Sequence, residues 1–151
     1  MEALFKTWRV NRKVLLKFFD GYTLDQLNKI PDGFNNNLIW NLGHILVVQQ
    51  SLIYRASNQP MSVSMEMLNK YKPGSKPTEP VTQEEVNLIK ELMSSLVTKT
   101  VEDYNNGIFT TYNEFTTSTG FNISSIEDAL EFNNYHEGMH LGYIMSLKKF
   151  I

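Results

Sequence analysis

Leu38-Ile39-Trp40-Asn41-Leu42-Gly43-His44-Ile45-Leu46-Val47-Val48 is the most apolar window of the chain, and its reading decides the fold. It falls short of the ~20 residues a bilayer span needs, and Asn41 and His44 interrupt it. It is apolar on more than one face, which marks a central, much-buried helix rather than a surface one. That helix is expected to start near Asn35 or Asn36 and to run to about Ala56.

The same helical period continues on both sides. Upstream, Leu4, Phe5, Trp8, Leu15, Phe18 and Phe19 recur at three- and four-residue steps, which predicts an amphipathic helix over 2–20 with Gly21 as its stop. Thr23 with Gln26 caps a short helical turn before Pro31-Asp32-Gly33. Downstream, residues 57–81 hold four of the five prolines and read as a long loop, either a crossover or a functional segment. Thr82 with Glu85 has the spacing of a capping box and opens a third helix to about Tyr104. Residues 108–122 read as a structured loop with local extended character. Ser124 with Glu127 is a second such pattern, opening a fourth helix to about Lys149. Four long helices with one long connection between the second and third describe an all-α four-helix bundle.

At 151 residues the chain is expected to be a single domain spanning 1–151. Fourteen Lys and Arg against sixteen Asp and Glu give a net charge of −2, which argues against nucleic acid as a partner. Cysteine is absent, so disulfides, thiolate metal sites and a cysteine nucleophile are excluded. Lys6, Arg9, Arg12, Lys13 and Lys17 are interleaved with apolar residues, unlike a signal peptide, so a cytoplasmic protein without a membrane partner is expected.

The three histidines are the most informative residues. His136 and His140, at i and i+4, stack on one face of the fourth helix. The apolar stripe Ile126, Leu130, Asn133, His140, Ile144, Leu147 passes between them, so both lie on or beside the core-facing side. His44 sits in the middle of the other buried helix. Neutral imidazole is a good ligand for Zn, Ni, Cu or Fe, and three protein ligands leave coordination positions open for water or substrate. The alternative is that these are ordinary hydrogen-bonded core histidines. His136-Glu137-Gly138-Met139-His140 also fits the H-E-x-x-H pattern of zinc peptidases, whose Glu is a general base. Gly138 costs such a helix about 1 kcal/mol relative to Ala. Only eleven residues follow His140, so a third ligand is expected from upstream, where His44 is the one histidine left.

With Trp40-Asn41-Leu42-Gly43-His44-Ile45, the loop Tyr71 to Pro77, and Asn134-Tyr135-His136-Glu137-Gly138-Met139-His140-Leu141-Gly142-Tyr143-Ile144, the chain resembles the DinB-like superfamily of metalloenzymes, the group that includes the YfiT-like proteins. The resemblance implies a bundle of up-down-down-up topology and a divalent metal, zinc or nickel foremost, held by His44, His136 and His140. It also implies, more loosely, a metal-dependent transferase or isomerase using a low-molecular-weight thiol such as bacillithiol, mycothiol or glutathione.

Around the histidines, Glu137 is the candidate general base or the partner that orients an imidazole. Asn41, Asn133 and Tyr143 are candidates for lining the same pocket, and Trp40 for its wall. Lys70, Lys72 and Lys76 are placed to attract an anionic thiol or substrate, unless they are simply a solvated loop. The leading expectation is a thiol S-transferase acting on a small molecule. A metal-dependent hydrolase with Glu137 as base is the enzymatic rival, and a non-catalytic metal-binding stress or regulatory protein is the third reading. A homodimer paired through the apolar-rich first helix is also expected.

Overall fold

The computed structural model describes residues 1–151. Six helices carry nearly all the regular structure, so the chain is all-α. Helix α1 spans Glu2–Asp20, matching the apolar period, and Gly21 ends it with its N–H on the Lys17 carbonyl. The short α2, Leu24–Asn28, opens on the expected capping box, formed in both directions between Thr23 and Gln26.

Helix α3 spans Leu38–Gln49, two or three residues later than the sequence suggested. The start belongs to Asn37, whose side chain accepts from the Trp40 amide at 2.9 Å. All twelve of its residues are buried, as expected of a central helix. Beyond it the coil widens into a π-helical turn over Gln50–Arg55, where the Ala56 amide reaches back to the Ser51 carbonyl.

The 57–81 segment departs from a plain loop. Ser64 accepts from the Met67 amide at 3.0 Å and starts α4, Met65–Tyr71. This helix buries Met67, Leu68 and Tyr71 against α3, a pattern too short to stand out in a proline-rich stretch. Helix α5 spans Gln83–Asn105 with Thr82 as its cap. The Glu85 side chain does not complete that box. It accepts instead from the Tyr71 hydroxyl and from Lys70, tying α4 to α5. Between α5 and the last helix, β1 (Phe115–Thr116) and β2 (Asn122–Ile123) form a small antiparallel hairpin, with Phe115 opposite Ile123. Helix α6 spans Ile126–Leu147 and is followed by a 3₁₀ turn, Lys148–Phe150. Its cap is Ser125, accepting from the Asp128 amide at 3.1 Å. Ser124 was one residue early: its hydroxyl donates to the Asp128 carboxylate, while Glu127 accepts from Tyr104.

The long helices pack in four pairs: α1 with α5, α1 with α6, α3 with α5, and α3 with α6. Two apolar clusters fill the interior. One gathers Leu15, Leu42, Ile45, Ile89, Met93 and Ile144; the other gathers Phe5, Trp8, Ile53, Val97, Val101 and Leu130. On α1, α3 and α6 the buried polar residues Arg12, Gln49, Asn133 and Glu137 fall between the two clusters. No helix is long and apolar enough to cross a membrane.

Candidate metal centre

Residues 136 and 137 are one step apart on α6, and a step turns a helix by about 100°. His136 and His140 therefore share one face, and Asn133 and Glu137 share the next. The first face meets α3 and the second meets α1, and the chemistry divides the same way.

On the α3 side, His44, His136 and His140 converge, with ligand nitrogens all within 4.8 Å of one another. Ring centroids lie 4.7 Å apart for His44 and His140, and 4.6 Å for His136 and His140. His44 Nδ1 lies 2.7 Å from the Tyr71 carbonyl, which can only accept, so Nδ1 carries the proton and Nε2 keeps its lone pair. Gly43 makes this contact possible. A Cβ there would stand 2.6 Å from the Tyr71 ring, so only glycine lets α4 press close enough. Trp40 stacks on His44 at 4.7 Å but stands behind it and does not itself line the cavity as the sequence suggested.

His140 is held in the same manner. Its Nδ1 lies 2.9 Å from Asn41 Oδ1, and the Asn41 amide nitrogen donates to Asn36 Oδ1 and the Asn37 carbonyl. Those donations make Oδ1 the acceptor, so His140 too presents Nε2 as a lone pair. His136 differs, because its Nδ1 is buried with no hydrogen-bond partner. A buried nitrogen without a partner costs about 1–3 kcal/mol, a cost that a bound metal ion would relieve.

Burial keeps all three imidazoles neutral. It lowers His136 to about 3, helped by the facing His140 and His44 and by Arg12, and lowers His140 to about 4, helped by His44. It lowers His44 as well, against the opposing pull of the Tyr71 carbonyl. Three neutral imidazoles, two of them oriented by a hydrogen bond and the third unpartnered, are a donor set that suits a divalent transition metal, so the residues present fit the ion.

The histidines open onto a cavity of about 560 Å³. Val48 and Leu52 of α3 and its π turn, and Phe132 and Met139 of α6, form its apolar walls. Pro73 closes one side, and the hairpin stretch Phe115 to Thr119 closes another. The volume is within the ~300–1,000 Å³ range of small-molecule sites.

Glu137 faces the other way. Its side chain is wholly buried and accepts from Trp8 Nε1 at 2.7 Å, Asn11 Nδ2 at 3.1 Å, Asn133 Nδ2 at 3.0 Å and Arg12 at 2.6 Å. Arg12, 2% exposed, also reaches Gln49 Oε1 on α3 and the Met93 carbonyl on α5. One guanidinium thus touches all four long helices.

Glu137 does not line the cavity, and neither do the other pocket candidates. Asn41 stands behind His140, Asn133 serves Glu137, and Tyr143 packs edge-on to Phe34 at the surface. Lys70 is paired with Glu85 and Lys72 with Asn69; neither they nor Lys76 line the cavity. Sequence reasoning missed Arg12, Gly43, Tyr71 and the hairpin. Arg12 left a signal, a charge one turn after Trp8 within an apolar stripe.

A family model of the DinB superfamily matches residues 7–144. No curated protein matches the chain. The match covers almost the whole sequence, including all three histidines, and the chain belongs to the DinB superfamily.

Proposed function

We propose that this chain is a metal-dependent enzyme that transfers the sulfur of a small thiol to an electrophile. The observation that carries the reading is three neutral imidazoles, two with fixed tautomers, converging at one cavity of small-molecule size. In this reading the scaffold is a four-helix bundle running up-down-down-up. Antiparallel α1 and α5 are supported by Phe5 against Tyr104 and Arg12 against Met93. Parallel α3 and α5 are supported by Gln49 near Leu96 and Tyr54 near Asp103.

His44, His136 and His140 hold the ion; the Tyr71 carbonyl and Asn41 aim two of them. A divalent ion held by three imidazoles supplies Lewis acidity with positions to spare, so an incoming thiol or water loses its proton more readily. The apolar walls make the surroundings of the histidines less polar than bulk water. The chain has no cysteine, so the sulfur arrives on a cosubstrate: its S–H proton is lost, a carbon–sulfur bond forms, and the leaving group departs with the bonding pair. The hydrolase reading is weaker because it needs a base beside the attacking water. Glu137 is occupied by four donor side chains, and no carboxylate lines the cavity.

The test is elemental analysis of untagged wild type and of His44→Ala, followed by assay on electrophilic substrates with and without added thiol. One ion per chain, lost in the mutant, with activity that requires thiol, supports the reading. Unchanged metal content in His44→Ala removes the site, and thiol-independent hydrolysis removes the transferase. Bound metal without either activity favours the non-catalytic role.

A further inference from the structure

No Lys, Arg, Asp or Glu lines the cavity in front of the histidines. A carboxylate or phosphate on a ligand needs a fixed cation or a cluster of donors to replace its water, and these walls supply no charged side chain. The cations of the neighbouring segment are directed elsewhere. Lys70 is paired with Glu85 at 2.6 Å, and Lys72, which precedes Pro73, gives its ammonium to Asn69. Across the Phe132 wall, the adjoining surface hollow carries Asp128 and Glu131, which repel an anion.

What the cavity does offer is apolar surface and hydroxyls. Val48, Leu52, Phe132 and Met139 form the body of the site. The exposed Thr116 and Ser118 of the hairpin give it a polar but uncharged rim. Thr117 has its hydroxyl spent inside the turn, accepting from the Phe121 amide and sharing a hydrogen bond with Thr119. Hydroxyl groups and apolar carbon recognise alcohols, carbonyls and ethers on a hydrocarbon frame.

We infer that the part of the ligand packed against these walls, away from the histidines, is uncharged, with an apolar body whose polar end meets the hairpin hydroxyls. This rests on the enzyme reading above only in making that molecule the electrophilic acceptor. A charged thiol such as glutathione then reaches the histidines with its carboxylates left in solvent.

The test uses metal-free protein, so that no ion can attract an anion, and Nile red as an uncharged fluorescent probe. Displacement is measured with two ligands of one frame, cinnamyl alcohol and cinnamate, at neutral pH. The alcohol should displace the dye at concentrations at least ~10-fold lower than cinnamate, since the carboxylate finds no partner. Ser51→Trp, which fills the cavity from the π turn, should abolish dye binding. Thr116→Lys, at an exposed position, should recover cinnamate binding and close the gap. The inference is overturned by equal displacement, by dye binding that survives in folded Ser51→Trp, by no gain in Thr116→Lys, or by a folded wild type that binds no dye. Metal content of the same preparation separates the two readings. Discrimination in a protein that never takes up metal sinks the enzyme and leaves this inference standing; one ion per chain without discrimination does the reverse.

Discussion

Two faces of α6, one residue apart in sequence, have opposite chemistry. The Glu137 carboxylate is charged, closed and satisfied: both its oxygens have donors, and Arg12 of α1 ties it to α3 and α5 as well, leaving only Asn133 Oδ1 beside it without a partner. The histidine face is neutral, adjoins a cavity and is left unsatisfied at His136 Nδ1. A buried charge that serves the fold is paired within the protein, as Arg12 and Glu137 are, because an unpaired one is costly. Groups that serve a ligand keep lone pairs in reserve. The difference gives the H-E-x-x-H glutamate to the architecture and leaves its two histidines, with His44, close enough to hold a metal ion.

The strongest way to break this division is Glu137→Gln, which keeps the shape of the side chain and strands the Arg12 charge. Urea denaturation should show a loss of about 3–5 kcal/mol. The folded fraction should still bind one metal ion. Full stability, or loss of metal from folded protein, would return Glu137 to the site.

Acid tests the other face. Because burial lowers all three histidines, His136 to about 3 and His140 to about 4, folded protein should keep its metal affinity further into acid than ligands of the ordinary histidine value of ~6.5 would allow. Metal-free stability should behave differently. The unfolded chain takes up protons near 6.5 that the folded state refuses, so stability present above that pH falls steadily as pH drops toward 4. Calorimetry from pH 8 to 4 checks the sign: a metal-free protein that gains stability in acid contradicts neutral buried imidazoles.

Gly43→Ala sharpens the comparison by disturbing the histidine face alone. A Cβ set 2.6 Å from the Tyr71 ring must push α4 away, with a cost of about 1–3 kcal/mol. The Tyr71 carbonyl then releases His44, and metal affinity should fall ~10- to 100-fold, the usual effect of losing a partner behind a ligand. A stability loss with unchanged affinity would show that this hydrogen bond does not orient the ligand.

The smallest effect serves as a control. Gly138 lies on the exposed side of α6, away from both faces, with nothing within 4 Å of where a Cβ would go. Gly138→Ala should stabilise the helix by up to about 1 kcal/mol, seen as a rise in Tm, with metal binding unaltered. Destabilisation would mean that this surface of α6 is covered by something else.

Much was legible along the chain because it is local. The extents of α1 and α5, the wholly buried α3 and the Thr23–Gln26 box follow from apolar period and capping chemistry, which act over three or four residues. Caps failed where a side chain had a better distant partner. Glu85 went to Tyr71 and Lys70, and Glu127 to Tyr104, because tertiary hydrogen bonds compete with the local box. The short α4 was hidden because its few turns depend on packing against α3 rather than on helix propensity.

For the site, the sequence by itself determined that two histidines share a helix face and that a third lies on another buried helix, since helical geometry sets which side chains stand together. Only the tertiary structure decided which neighbour each face of α6 meets, and so separated Glu137 from the histidines beside it. It also decided that the Tyr71 carbonyl, 27 residues along, aims His44, and that Asn41, 99 residues back, aims His140. The hairpin stretch closes the cavity for the same reason. A helix's own geometry sets the direction of a side chain about its axis, but its partner is set by the packing of the whole core.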